Sequence, residues 1–112
     1  VVSVYGPGRG GLHNDGINIL ANKGTPVEAA ENGVVVYSGN ELQGFGNLLL
    51  IKHAGGWTSA YAHNDSILVK RGQKVKRGQV VAHAGSTGNV SKPQLHFELR
   101  RGTRTVDPIK YL

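Results

Sequence analysis

Glycine punctuates this chain at short intervals, and that spacing limits the elements it can form. Seventeen glycines stand against four prolines. No stretch of ten or more residues keeps the 3.6-residue apolar period of an amphipathic helix. Between the glycines lie short apolar or β-branched runs: Gly33-Val-Val-Val-Tyr37, Leu48-Leu-Leu-Ile51 and Gln79-Val-Val-Ala82. Such runs, bounded by turn residues, read as strands. Further strands are expected at Ile17–Leu20, Pro26–Ala29, Trp57–His63 and Leu95–Arg101. His53-Ala-Gly-Gly-Trp57 joins two of these runs as a hairpin. Lys70-Arg-Gly-Gln73 returns as Lys76-Arg-Gly-Gln79. That echo is too short for a solenoid and reads as two successive turns, each glycine free to take positive φ. The expectation is an all-β domain with little helix.

At 112 residues the chain makes one domain, since domains commonly run ~100–150 residues. No linker or low-complexity tract divides residues 1–112, and residues 1–5 read as a leading strand or linker. The absence of cysteine excludes disulfides, thiolate zinc sites and cysteine nucleophiles. The absence of methionine suggests a piece of a longer protein, with any export signal expected upstream. No stretch approaches the ~18 apolar residues of a membrane span.

Thirteen Lys and Arg against seven acids give a net charge of +6. Five of the basic residues fall between Lys70 and Arg77, and Arg100, Arg101 and Arg104 form a second group. A basic surface attracts nucleic acid, anionic wall polymers or acidic proteins. Nucleic-acid platforms on sheets need exposed aromatics interleaved with the basic residues. None lies within Lys70–Arg77, so nucleic acid is not expected as a partner. Nor do Lys70 and Lys76 fit the hairpin-tip lysine of a lipoyl or biotin carrier.

Five histidines are candidates for chemistry. Residues an even number apart on a strand share a face. Tyr61 and His63 are therefore expected to share a face, as are Gln94 and His96 if the strand begins by Gln94. His53, at a strand end, reads as a capping or exposed residue, and His83 reads as structural.

Gly16-Ile-Asn-Ile19, Gly24-Thr-Pro-Val27, Gly44-Phe-Gly-Asn47, His53-Ala-Gly-Gly56, Tyr61-Ala-His63, Gly85-Ser-Thr-Gly88, Pro93-Gln-Leu-His-Phe-Glu98 and Val106-Asp-Pro108 follow one another in order. Together they resemble the LytM-type (lysostaphin-like) zinc metallopeptidases, from about Gly6 to the end of the chain. The resemblance implies a compact, mostly antiparallel β domain with a groove across its sheet. Active members cleave peptide crosslinks in bacterial peptidoglycan.

Their chemistry uses three zinc ligands and two further histidines. A catalytic zinc takes three protein ligands and keeps a fourth position for water. Aligned on Gly16, the family's His-x-Gly-x-Asp pair of ligands falls on Asn14 and Asn18. The third ligand matches His96, and a catalytic histidine matches His63. The other catalytic histidine is replaced by Gln94. Carboxamides are poor zinc ligands, so no zinc and no other cofactor is expected. His13 and Asp15 flank Asn14 one residue out of register, and a local bulge would be needed to aim either inward.

The resemblance therefore implies a pseudoenzyme. Degenerate members of the family activate peptidoglycan hydrolases, chiefly cell-wall amidases, during bacterial cell division, in the periplasm or cell envelope. The expected docking groove comprises Asn14, Asn18, Tyr61, His63, Gln94 and His96, with basic residues at its margin. Two alternatives are a passive peptidoglycan-binding module and a zinc endopeptidase with a rearranged ligand set.

Overall fold

The computed structural model describes residues 3–7 and 13–111. Parts of the leading segment expected over residues 1–5 lie outside these. Ser3 within it makes an antiparallel bridge to Asn18. A two-stranded ribbon pairs β1 (Gly6–Pro7) with β2 (His13–Asn14). The remaining strands form one antiparallel sheet: β3 (Ile17–Leu20), β4 (Pro26–Glu28), β5 (Gly33–Gly39), β6 (Asn47–Lys52), β7 (Trp57–Ile67), β8 (Lys74–Val75), β9 (Val80–Ala84), β10 (Gln94–Arg101) and β11 (Arg104–Val106). Their main order is β11-β10-β7-β6-β5-β8. β3 also pairs with β10, and β9 with β7 and β4. Short 3-10 turns at Ala54–Gly56 and Pro108–Lys110 are the helical elements among the described residues. Each strand expected from the sequence is present, several with ends moved by a residue or more.

Alternation along β10 decides what each face does. Phe97 and Leu99 enter the main core with Ile17, Val35, Leu49, Ile51, Tyr61 and Val81. Each fully buried aliphatic side chain there contributes about 1.5–3 kcal/mol. His96 and Glu98 point to the other face. Directly across the strand pairing from them stand Ala62 and Ala60, part of a smaller apolar cluster with Leu48 and Leu50. The groove residues expected from the sequence, Tyr61 apart, gather on this second face.

The repeated tetrapeptide forms two copies of one turn. Gln73 N–H donates to the Lys70 carbonyl at 3.0 Å, and Gln79 N–H to the Lys76 carbonyl at 2.9 Å. Each glutamine side chain then accepts from the first residue of its own turn, Lys70 N at 3.2 Å and Lys76 N at 3.0 Å. Both copies dock alike on the sheet: Gly72 N–H donates to Val35 O, and Gly78 N–H to Ala29 O.

Candidate functional site

Gly16 allows β3 to lie directly on β10. A Cβ at this position would overlap the Phe97 carbonyl and come within 2.8 Å of Glu98 Cγ. This approach brings Asn14 and Asn18 over His96. Gly16 N–H donates to Asn14 Oδ1 at 3.1 Å, which fixes the orientation of that amide. Asn14 Nδ2 then donates to Asn18 Oδ1 (3.1 Å), Asn18 Nδ2 to Gln94 Oε1 (2.8 Å) and Gln94 Nε2 to the Lys92 carbonyl (3.2 Å). The chain of donors runs one way from Gly16 to Lys92.

That direction dictates the state of the retained imidazole. His96 Nδ1 lies 3.1 Å from Asn18 Oδ1, an acceptor, so Nδ1 carries a proton. On its other side Nε2 lies 2.8 Å from Glu98 Oε2, and Arg100 Nη2 donates to Glu98 Oε1 at 2.8 Å. Burial alone would raise the Glu98 carboxyl, but hydrogen bonds and charge from His96 and Arg100 outweigh it and hold the group below 4.5. An ionised Glu98 accepts from Nε2. Both ring nitrogens are thus engaged by protein partners.

His63 reaches the same face by a different route. Between Tyr61 and Asn64, β7 carries one residue more than β6 carries between Leu49 and Asn47. At this bulge His63 takes φ of 68°, an uncommon conformation for a residue with a side chain. Its Nδ1 donates to the Thr87 carbonyl at 2.9 Å, which leaves Nε2 as an acceptor. The His63 and His96 rings lie 6.1 Å apart, and Phe45 packs 6.3 Å from His96. Burial lowers His63 below 6.5, with His96 acting in the same direction and the Thr87 hydrogen bond opposing. The rim is closed by backbone contact, since a Cβ on Gly88 would stand 2.5 Å from Gly46 N.

Two expected placements are corrected. Tyr61 does not share a face with His63: it is 1% exposed in the main core, because the bulge resets the strand's alternation. It is not a groove residue. His53 stands at the N-cap position of the Ala54–Gly56 turn, but its side chain makes no capping bond and is buried rather than exposed, at 8%. Its Nδ1 meets the Asn32 carbonyl at 2.8 Å and its Nε2 meets Ser59 Oγ at 2.7 Å. Ser59 Oγ lies 2.7 Å from Tyr61 Oη, which accepts from Ala30 N–H. The resulting circuit starts and ends on the 30–32 loop. Ser59 is fully buried, so this serine–histidine pair is a structural tie rather than a nucleophile.

The structure brings Asn14, Asn18, Gln94, His63 and His96 together. His13 and Asp15 pair instead with each other at 3.4 Å, both about half exposed, and His13 packs edge-on to Tyr5. Among the basic residues, Lys92 and Arg100 adjoin the groove. Lys70–Arg77 occupy the turns flanking β8, at the far edge of the sheet. Glu98 and Arg100 were missed from the sequence, although positions 94, 96, 98 and 100 share one strand face.

As donors to zinc these side chains do not fit. Two are neutral amides committed to each other, and the imidazole has both nitrogens engaged. Among the described residues no group of three or more His, Cys, Asp or Glu is placed to hold a metal. What remains is a hydrogen-bonded polar cluster in which, among the described residues, His63 Nε2 has no partner.

The antiparallel sheet and the retained His63 and His96, brought together on one of its faces, define a LytM-type metallopeptidase scaffold. The chain belongs to peptidase family M23, which it matches over residues 12–108. It is 46% identical to cell division protein DipM of Caulobacter vibrioides over 110 residues, 98% of this chain and 18% of that protein. It is 48% identical to murein hydrolase activator NlpD of Escherichia coli over 112 residues, 100% of this chain and 29% of that protein. The chain thus spans less than a third of the length of these two relatives. Among solved structures, the catalytic domain of lysostaphin from Staphylococcus simulans superimposes with a TM-score of 0.89 at 33% identity, covering 96% of this chain and 87% of that one. The catalytic domain of a variant of the prophage-encoded M23 protein EnpA from Enterococcus faecalis gives 0.88 at 37% identity, covering 98% and 88%.

Proposed function

We propose that this domain is a non-catalytic activator of peptidoglycan hydrolases, chiefly cell-wall amidases, in the bacterial periplasm or envelope during division and wall remodelling. The groove is a docking surface and holds no zinc. The observation that carries this reading is the one-way hydrogen-bond chain from Gly16 through Asn14, Asn18 and Gln94. It occupies the positions where active members place metal ligands, and it keeps His96 Nδ1 protonated. The two relatives named above, one a murein hydrolase activator and one a cell division protein, support the regulatory part. A groove shaped for an extended peptide suits docking of a partner segment.

The test mixes the purified domain with cell-wall amidases and measures dye release from labelled sacculi. Stimulated release, with none from the domain alone, is the expected result. Chelator-sensitive release by the domain alone, with equimolar zinc in elemental analysis, would instead make it an endopeptidase. Sacculus binding without stimulation of any amidase would make it a passive wall-binding module.

A further inference from the structure

A second cleft, of about 630 Å³, opens on the sheet face opposite the groove. Phe97 and Leu99 of β10 line it, alternating with the His96 and Glu98 of the groove face. Trp57 and Tyr111 complete an apolar wall, and Arg77 and Glu31 stand at its polar side. Tyr111 is 54% exposed and stacks edge-on against Trp57 at 5.0 Å.

The cleft is built rather than incidental. Its 30–32 loop is held at three points: Ala30 N–H on Tyr61 Oη, the Asn32 carbonyl on buried His53, and Asn32 Oδ1 on Arg77 N–H at 2.8 Å. A wall fixed in this way needs no ordering when a ligand arrives. Its lining carries Arg77 and Glu31, and two further arginines stand beside it at the Trp57 end. Arg101 lies over the Trp57 ring at 5.5 Å and directly faces Arg104 across the β10–β11 pairing, an arrangement that is destabilising by itself. Among the described residues, Arg77, Arg101 and Arg104 form no ion pair. Glu31 is turned to its neighbour, accepting from Asn32 N–H at 2.8 Å.

We infer that this cleft is a second docking site, distinct from the groove, for an acidic peptide segment of a partner protein. One apolar side chain of that segment lies against Trp57 and Tyr111, and its carboxylates meet Arg77 and Arg101. This goes beyond the regulatory reading and rests on different residues.

Trp57 is the chain's single tryptophan, so its fluorescence reports on the cleft directly. The probe is the capped peptide Glu-Asp-Leu-Phe-Asp-Glu, with one control replacing its acids by Lys and another replacing Leu-Phe by Ser-Ser. The acidic apolar peptide is expected to shift Trp57 emission saturably, and each control to bind about tenfold more weakly. Arg77→Glu and Arg101→Glu should each weaken binding about tenfold. Arg77 anchors the loop through its backbone, so its replacement leaves the wall in place. Lys70→Glu, on the other basic turn, should leave binding unchanged.

Equal binding of the Lys control would show that the arginines take no part, and equal binding of the Ser-Ser control, or equal weakening by Lys70→Glu, would mean charge adsorption; each would overturn the proposal. So would emission that changes with protein concentration alone, which would make a second copy the occupant, or an equal response to anionic phospholipid vesicles. Amidase stimulation measured in parallel separates the two readings. Peptide uptake without stimulation would remove the regulatory function and keep this site; stimulation with no Trp57 response would do the reverse.

Discussion

Asn18 Oδ1 lies 3.1 Å from Nδ1 of His96, occupying the direction in which that nitrogen would otherwise bind a metal. Restoring a metal site therefore requires more than one side chain. With Asn18→Asp alone, a carboxylate oxygen would confront Gln94 Oε1, acceptor against acceptor. The triple variant Asn14→His, Asn18→Asp, Gln94→His is expected to bind zinc in equimolar amount by elemental analysis, and the parent none. A triple variant that folds without zinc would show that the groove backbone, and not only its side chains, has left the metal-binding form.

Glu98 is 3% exposed and receives hydrogen bonds from His96 and Arg100. Glu98→Gln removes the charge that both partners use and should destabilise the fold by about 3–5 kcal/mol in urea denaturation at neutral pH, as expected for breaking a buried pair. The pH sign follows from the lowered carboxyl. Its stabilisation is complete above 4.5 and is lost as the pH falls through the lower folded-state value. The variant's stability curve should be flatter below pH 4.5, and an unchanged acid limb would exclude the pair as its cause.

His63 gives a separate step at higher pH. Its ring is held below 6.5 in the fold, so the unfolded chain takes up its proton first. Stability is full above 6.5 and declines as the pH falls toward the folded-state value. His63→Asn removes the titration and keeps a residue that tolerates positive φ. Its stability should not decline between pH 6.5 and 5, whereas the parent's should. An NMR titration placing the parent's His63 at or above 6.5 would contradict this.

Gly16→Ala tests the contact on which the groove depends. The new methyl would overlap the Phe97 carbonyl, which belongs to a central strand and has little freedom to shift. A loss of about 3 kcal/mol or more is expected, together with loss of amidase stimulation. A stability change within about 0.5 kcal/mol, the range of an innocuous surface substitution, would show that β3 does not lie so close.

The strands and the Gln94–His96 face were legible because apolar and polar residues alternate between glycines along each strand. The family resemblance added the correspondence of Asn14, Asn18, His63 and His96. The orientation of Tyr61 was not legible. Its neighbour His63 carries the bulge with no glycine to mark it, so simple parity put both residues on one face. His53 was missed for a different reason: its partners Asn32 and Ser59 come from separate segments and meet only once the sheet has formed. Glu98 was readable from spacing, but its role depends on Arg100 holding it ionised against the ring of His96.

The paired Lys-Arg-Gly-Gln turns have a consequence for how this surface could be redesigned. In each, the glycine and glutamine make the contacts that shape and dock the turn, while the side chains of Lys70, Arg71, Lys76 and Arg77 stand exposed. Architecture and charge are thus assigned to different positions of the same tetrapeptide. The electrostatic character of this edge can be rewritten, by mutation or by lysine acetylation, without disturbing the scaffold that presents it.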